Sequence, residues 1–231
     1  MKELIELRTC PTHGEYEAKG CDYGERLGVH WGALGGCPVC QDELYARRKS
    51  EYDRQMQARA QRETNQRIAS AKIPSRYAGK TFSDFIVDTP QQREALAIVE
   101  KYGLEFDERL AAGASLVLLG SVGTGKTLLT CALLRQIASA GYRVRYTTAA
   151  GIIRELRDTW NRSSSASEGE IFDAFVRPHL LAIDEVGVQL GSDSERAQLT
   201  DVFDARYREA KPTVVISNLD RAGLERTLGE R

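Results

Sequence analysis

An α/β fold built on a parallel sheet is predicted from three features of the sequence. Short apolar runs at residues 115–119, 179–183 and 212–217 alternate with helical segments, the pattern of strands buried on both faces. The first run leads straight into a glycine-rich turn that opens a helix, Gly120-Ser-Val-Gly-Thr-Gly125-Lys126-Thr127. The second ends in two carboxylates, Asp184-Glu185. A small cysteine-rich module and a long helix are expected ahead of this core.

Four of the five cysteines lie within the first forty residues. Cys10-Pro-Thr-His13 and Cys37-Pro-Val-Cys40 are two closely spaced pairs separated by 23 residues. Each pair can present two soft donors from one tight turn, and two such turns complete the tetrahedron that zinc prefers. The stretch between them is rich in glycine and poor in large apolar residues, so a bound ion is expected to hold its ends. Structural zinc supplies an apparent ~10–16 kcal/mol in small zinc peptides. Cys21 and His30 are rival ligands within the same stretch and rank below His13, because neither belongs to a short-spaced pair. A filled donor set without an open position predicts a structural ion rather than a catalytic one. Cys131 lies among leucines of a later helix and reads as core.

Residues 41–72 contain neither glycine nor proline and are dominated by good helix formers. Tyr45, Tyr52 and Met56 recur at helical spacing, but the apolar stripe is thin. A long solvated spacer is favoured, with a partner-binding helix as the other reading. Next, Thr89-Pro90-Gln91-Gln92 combines an N-cap threonine, a proline at the first helical position and a glutamine three residues after the cap. The helix it opens runs through Ala95, Leu96, Ile98 and Val99.

The turn at residues 120–127 is the full phosphate-loop pattern G-x-x-x-x-G-K-T, between strand and helix as its chemistry requires. Its glycines let backbone N–H groups face phosphates without Cβ interference. Gly120, Gly123, Thr124, Gly125, Lys126, Thr127 and Leu128 are therefore the candidate nucleotide-binding residues. Lys126 is expected at the β- and γ-phosphates and Thr127 at magnesium, with the helix N-terminus aimed at the anion. A helix over residues 128–137 and a strand alternating over residues 142–146 come next. After the strand at 179–183, Asp184 is expected to hold magnesium through water and Glu185 to polarise the attacking water. Ser192-x-x-Glu195 reads as a capping box. Asn218, at the tip of the last strand, is a candidate for contact with the γ-phosphate or the lytic water. Capping of the segment at residues 220–228 is its other reading.

Composition sets the outer limits. The 231 residues carry 32 Lys+Arg against 33 Asp+Glu, a formal charge of −1, which excludes a simple basic nucleic-acid coat but not a local patch. No apolar run is long enough to span a membrane. The first residues mix acids with apolar side chains, unlike a secretory signal, so reduced thiols in a cytoplasm are expected.

Taken together, these residues resemble the AAA+ ATPases of the DnaC/IstB type, a family of bacterial and phage helicase loaders and transposition helpers. The resemblance runs from about residue 71 to residue 231. It rests on Lys72-Ile-Pro-Ser-Arg76 before Thr81-Phe-x-x-Phe85, the phosphate loop, Asp184-Glu185, Arg206-Tyr207, Ser217-Asn218-Leu219 and Leu228-Gly-Glu-Arg231. The amino-terminal Cys-x-x-His-Gly with Gly-Cys-Pro-x-Cys is similar to the metal module of phage and prophage DnaC-like replication proteins. That similarity favours helicase loading over transposition.

The resemblance implies three parts: a zinc-binding module at residues 1–40, a linker or partner-binding helix at 41–72, and an AAA+ ATPase core at 73–231. It makes Lys126, Glu185 and Asn218 (the first sensor) catalytic residues. Arg231 joins them as the arginine that reaches into a neighbouring subunit's ATP. It also implies a ring or open spiral of copies around single-stranded DNA, with a pore-facing insertion near Arg154, Arg157, Arg162 and residues 163–167. A solvated face is the other reading of those arginines. Members of the family continue into a last core strand and a second sensor arginine, so a C-terminally truncated core is expected. The implied function is ATP-dependent loading of a DnaB-type replicative helicase onto single-stranded DNA, in the cytoplasm of a bacterium or a phage-infected host. An IstB-like transposition helper and a zinc-dependent adaptor with a nucleotide switch are the alternatives.

Overall fold

The computed structural model describes residues 2–22, 28–30, 36–160, 166–187 and 193–228. The chain forms two compact units, Met1–Arg62 and Glu63–Arg231. Among the described residues no helix is long and apolar enough to cross a membrane.

In the first unit, β1 (Lys2–Cys10) and β2 (Gly14–Asp22) form an antiparallel hairpin in register from Lys2 opposite Asp22 to Cys10 opposite Gly14. The two-residue strand β3 (Val29–His30) adds to β2. This sheet goes beyond the glycine-rich loop read from the sequence. Its signal is the alternation in Gly-Glu-Tyr-Glu-Ala-Lys-Gly, which turns Ala18 inward and Glu15, Glu17 and Lys19 outward. Residues 11–13 close the hairpin, and Gly14 follows at φ +78°, a left-handed conformation that suits a three-residue turn. The helix expected from residue 41 begins earlier, as α1 (Pro38–Ser70). A proline at the first helical position lacks only an N–H that would have no intrahelical partner.

The second unit carries the predicted parallel sheet. Its strands are β4 (Leu116–Leu119), β5 (Val144–Thr148), β6 (Leu180–Asp184) and β7 (Thr213–Ser217), in the spatial order β4-β7-β6-β5. Both faces are covered. Val144, Tyr146, Leu180, Ala182, Val214 and Ile216 pack on one side with α2 (Pro90–Leu104), α3 (Phe106–Ala111) and α4 (Lys126–Ser139). Leu181, Ile183 and Val215 pack on the other with α5 (Ala149–Asp158), α6 (Glu168–Val176) and α7 (Asp193–Arg208). Double burial explains why the sequence shows these strands as unbroken apolar runs.

The strand read over residues 142–146 lies two residues later in the structure. β5 starts at Val144, and Arg145 is buried, not solvated. Its guanidinium donates to Glu155 at 2.6 Å and lies 4.1 Å from the centre of the Phe175 ring. A half-buried carboxylate and an aromatic face replace water around the charge. The Thr89 cap forms as predicted: Thr89 Oγ1 accepts from the Gln92 amide, and Gln92 Oε1 accepts from the Thr89 amide. Ser192 lies outside the described residues, and α7 begins beyond it.

Arg206 has no exposed surface. It donates to the carbonyls of Phe175, Val176, Pro178 and Pro212 and to Thr213 Oγ1, so one side chain joins the end of α6 to the start of β7. Arg206→Met keeps most of the volume but leaves four buried carbonyls without that donor. At about 1–3 kcal/mol per orphaned buried group, with partial relaxation, the expected loss is at least about 3 kcal/mol. Urea unfolding followed by circular dichroism measures it, and a loss below about 1 kcal/mol would refute the clamp.

Candidate functional site

The first cluster arises where the hairpin and the start of α1 meet. Cys10 ends β1, His13 closes the turn, Cys37 precedes α1 and Cys40 lies in its first turn. His13 Nδ1 is 3.8, 3.7 and 3.3 Å from the sulfurs of Cys10, Cys37 and Cys40, and the Cys10 and Cys40 sulfurs are 3.6 Å apart. All four donor atoms fall within 4.8 Å of one another. A tetrahedral ion with bonds of about 2.3 Å to sulfur sets donors about 3.8 Å apart, so the donor set fits such an ion. Backbone N–H groups of Thr12 and His13 pull the Cys10 thiol down to about 6, favouring the thiolate. Its hydrogen bond with Cys10, together with burial and the Cys37 thiol, pushes Cys40 up to about 11. Three thiolates this close repel one another unless a cation sits between them. The far ring nitrogen of His13, Nε2, lies 3.4 Å from Glu43 Oε1, a partner that no short-range spacing marks. Cys21, on β2, is not part of the cluster, and the His30 side chain lies outside the described residues.

The second cluster is assembled at the carboxyl ends of the parallel strands. β4 runs into the phosphate loop, where Gly120, Gly123 and Gly125 stand at φ +148°, +84° and +87°. Gly125 caps α4, and a Cβ on it would lie 2.4 Å from Phe85 Cε2, so glycine is required there for space as well as conformation. Lys126 Nζ donates to the Gly120 and Ser121 carbonyls at 2.7 and 2.9 Å and to Asn218 Oδ1 at 2.9 Å. Burial lowers the Lys126 ammonium from its ordinary value, while the Asp184 charge opposes the shift. Thr127 Oγ1 donates to Asp184 Oδ2 at 2.7 Å, and Asp184 Oδ1 accepts from the Glu185 amide at 2.7 Å.

Glu185 itself stands at φ +58°, an uncommon conformation for a residue with a side chain. The loop after it is stitched to β7. The Val186 amide donates to Ile216 O at 3.0 Å, and Ser217 Oγ donates to Val186 O at 2.6 Å. These bonds hold the strained residue in place. Asn218 does not cap the final helix α8 (Arg221–Leu228). Asp220 does so, accepting from the Gly223 amide at 2.7 Å, which leaves Asn218 to Lys126.

A cavity of about 450 Å³ opens over the loop, lined by Lys126, Thr127, Leu128, Asp184, Glu185 and Asn218. Arg76 and Tyr77 also line it, in a short 3-10 turn whose only sequence signal was the family-like stretch from Lys72. Thus residues from four separate stretches of sequence meet at one opening. Thr124 Oγ1 stays within the loop, donating to Ser121 O at 3.0 Å. Of the arginines proposed for DNA, Arg154 is exposed, Arg157 pairs with Glu195 at 2.8 Å, and Arg162 lies outside the described residues. Residues 163–165 and Arg231 lie outside them too. Cys131 is fully buried in the core, as its leucine neighbours predicted.

Residues 49–231 match the family described as IstB-like ATP binding protein, which is well over half of the chain. The chain belongs to that family. Among curated proteins, it is 29% identical over 164 residues to the replicative helicase loader DnaC of Buchnera aphidicola subsp. Schizaphis graminum, covering 71% of this chain and 65% of that one. It is 32% identical over 151 residues to the replicative helicase loader DnaC of Escherichia coli K12, covering 65% and 60% respectively. The chain thus spans less than two thirds of these relatives' own length. A solved structure titled as the DnaC helicase loader superposes with a TM-score of 0.60 at 24% identity, over 68% of this chain and 91% of that one. The fold is therefore the AAA+ P-loop fold of this IstB-like family.

Two glycine substitutions separate space from conformation. Gly123→Ala meets no atom within 4 Å and carries only the cost of its positive φ, about 1–2 kcal/mol. Gly125→Ala adds the collision with Phe85, so its loss of stability in urea unfolding is expected to be clearly the larger. Equal losses would show that Phe85 yields freely.

Proposed function

We propose that this protein is an ATP-dependent helicase loader, which binds a DnaB-type replicative helicase and delivers it onto single-stranded DNA. The observation that carries the proposal is the meeting of Lys126, Thr127, Asp184, Glu185 and Asn218 at one cavity, in a chain of the IstB-like family with relatives named helicase loaders. The rival reading is a transposition helper. Co-purification with a replicative helicase, with and without ATP, separates the two, because a transposition partner would not retain the helicase.

The proposed chemistry is hydrolysis of ATP. Lys126 exchanges the loop carbonyls and Asn218 for the phosphate oxygens, and backbone N–H groups of the loop bind the same tail. That exchange frees the Asn218 amide to hold the attacking water. Glu185 accepts a proton from this water as its oxygen bonds to the γ-phosphorus and the bond to the leaving phosphate oxygen breaks. Magnesium, held by Thr127 Oγ1 and through water by Asp184, would neutralise charge on the phosphate oxygens. In an ATP-bound ring or spiral, Arg231 of each copy is assigned to the neighbouring copy's phosphates. Such a contact is worth ~10³–10⁵ in rate where it has been measured.

Cys10, His13, Cys37 and Cys40 are assigned to a structural zinc ion. The hairpin and α1 would then offer the surface that holds the helicase, while the ATPase core binds DNA. ATP binding favours assembly and hydrolysis permits release. A cytoplasmic location is part of the same reading.

Lys126→Ala is expected to abolish tight ATP binding while leaving the zinc hairpin folded. Glu185→Gln is expected to keep binding but lower turnover by ~10²–10⁴. Parent-like hydrolysis in Lys126→Ala, read by phosphate release, would overturn the site. Removal of metal by a strong chelator is expected to unfold the Cys/His hairpin; unchanged amide exchange protection of β1 and β2 after metal analysis confirms its removal would refute zinc.

A further inference from the structure

We infer that Tyr146 is a positioning residue of the nucleotide site, holding the Asp184 carboxylate in the orientation that receives magnesium. The inference rests on the nucleotide reading above and adds to it a residue that neither motif contains.

The strand register explains the contact. Tyr146 on β5 stands opposite Ala182 on β6, and Thr148 stands opposite Asp184. Side chains two residues apart share a face, so Tyr146 and Asp184 are diagonal neighbours on one side of the sheet. A long aromatic side chain reaches such a neighbour, and the small Ala182 directly opposite leaves room for the ring to lean along the strand. Tyr146 Oη donates to Asp184 Oδ2 at 2.8 Å, and the residue is only 9% exposed.

The acceptor capacity of Asp184 is then nearly filled. Oδ2 accepts from both Thr127 Oγ1 and Tyr146 Oη, and Oδ1 accepts from the Glu185 amide. A carboxylate offers about four acceptor positions, so one on Oδ1 stays available to a metal-bound water. Each donor comes from a different segment, which fixes the plane of the carboxylate. Thr127 has a second task, because its oxygen is also the proposed ligand of the cation. Tyr146 has none, so its bond can persist unchanged whether or not the cation is present.

Tyr146→Phe removes the hydroxyl and keeps the ring in the core. The experiment titrates magnesium against the full chain with a fluorescent ATP analogue, and in parallel against phosphate release. The expected result is a magnesium midpoint raised ~10-fold or more, in the range found when groups supporting metal ligands are lost. Turnover at saturating magnesium is expected to return to near the parent value, and analogue binding without magnesium to be unchanged. In an Asp184→Asn background, the same substitution is expected to shift nothing further. A purely structural tyrosine would lower the melting temperature and leave the magnesium midpoint alone. If the parent binds the analogue with magnesium and the variant's midpoint stays within twofold, the inference is wrong while the nucleotide reading stands. If the parent shows no magnesium-dependent uptake, both fall. Should Tyr146→Phe fail to fold, Tyr146→His, able to donate at shorter reach, must show an intermediate midpoint for the inference to survive.

Discussion

The nucleotide site depends on a single topological constraint: β7 lies between β4 and β6. The phosphate loop leaves the end of β4, the carboxylates end β6, and Asn218 follows β7. Because parallel strands end on the same edge, the intervening strand brings its tip between the two motifs. The bonds from Lys126 to Asn218 and from Thr127 to Asp184 join residues 92 and 57 positions apart in sequence. The first follows from β7 pairing directly with β4, and the second reaches across the tip of β7. Brought together in this way, the groups sit in the crevice beyond the strand ends where open α/β sheets bind ligands.

Holding that edge in place takes bonds away from the chemistry. Arg206 ties the end of α6 to the start of β7, at the opposite end of the strand from Asn218. Near the site, the Val186 and Ser217 bonds fasten the loop that carries Glu185 at positive φ. A strained residue persists only when its surroundings over-determine it, and here the neighbouring strand does so. The buried Arg145, paired with Glu155, shows the same economy on β5. Charge is kept inside the fold where it crosslinks elements that apolar packing alone would leave free to slide.

The amino-terminal unit works on a different principle. Its hairpin buries little apolar surface; Ile5 and Leu7 remain 65% and 66% exposed. What converges instead is a set of three sulfurs and one imidazole nitrogen, on a turn and on the first turn of a helix. Small units with thin cores commonly draw their folding energy from such a set when it is loaded with metal. Glu43, beside the outer nitrogen of His13, then orients the ring and selects which nitrogen faces the sulfurs.

Local chemistry was readable from sequence alone. Residues 120–127 needed their glycines, Lys126 and Thr127 in fixed order, Thr89 needed Gln92 three positions on, and the paired Cys and His spacings needed short turns. Each of these signals lies within one short segment, and backbone geometry over a few residues makes it almost independent of the rest of the chain. The sequence also marked Asp184, Glu185 and Asn218 as strand-tip polar groups. Only the tertiary structure decided what they touch: Asn218 binds Lys126 and leaves the capping of α8 to Asp220, and Tyr146 reaches Asp184 across the strand register. It likewise decided that Arg145 lies inside, since an alternating pattern looks the same whether its polar face meets water or a half-buried carboxylate. Strand order and register couple residues far apart in the chain, and no local pattern encodes which distant partner a side chain will meet.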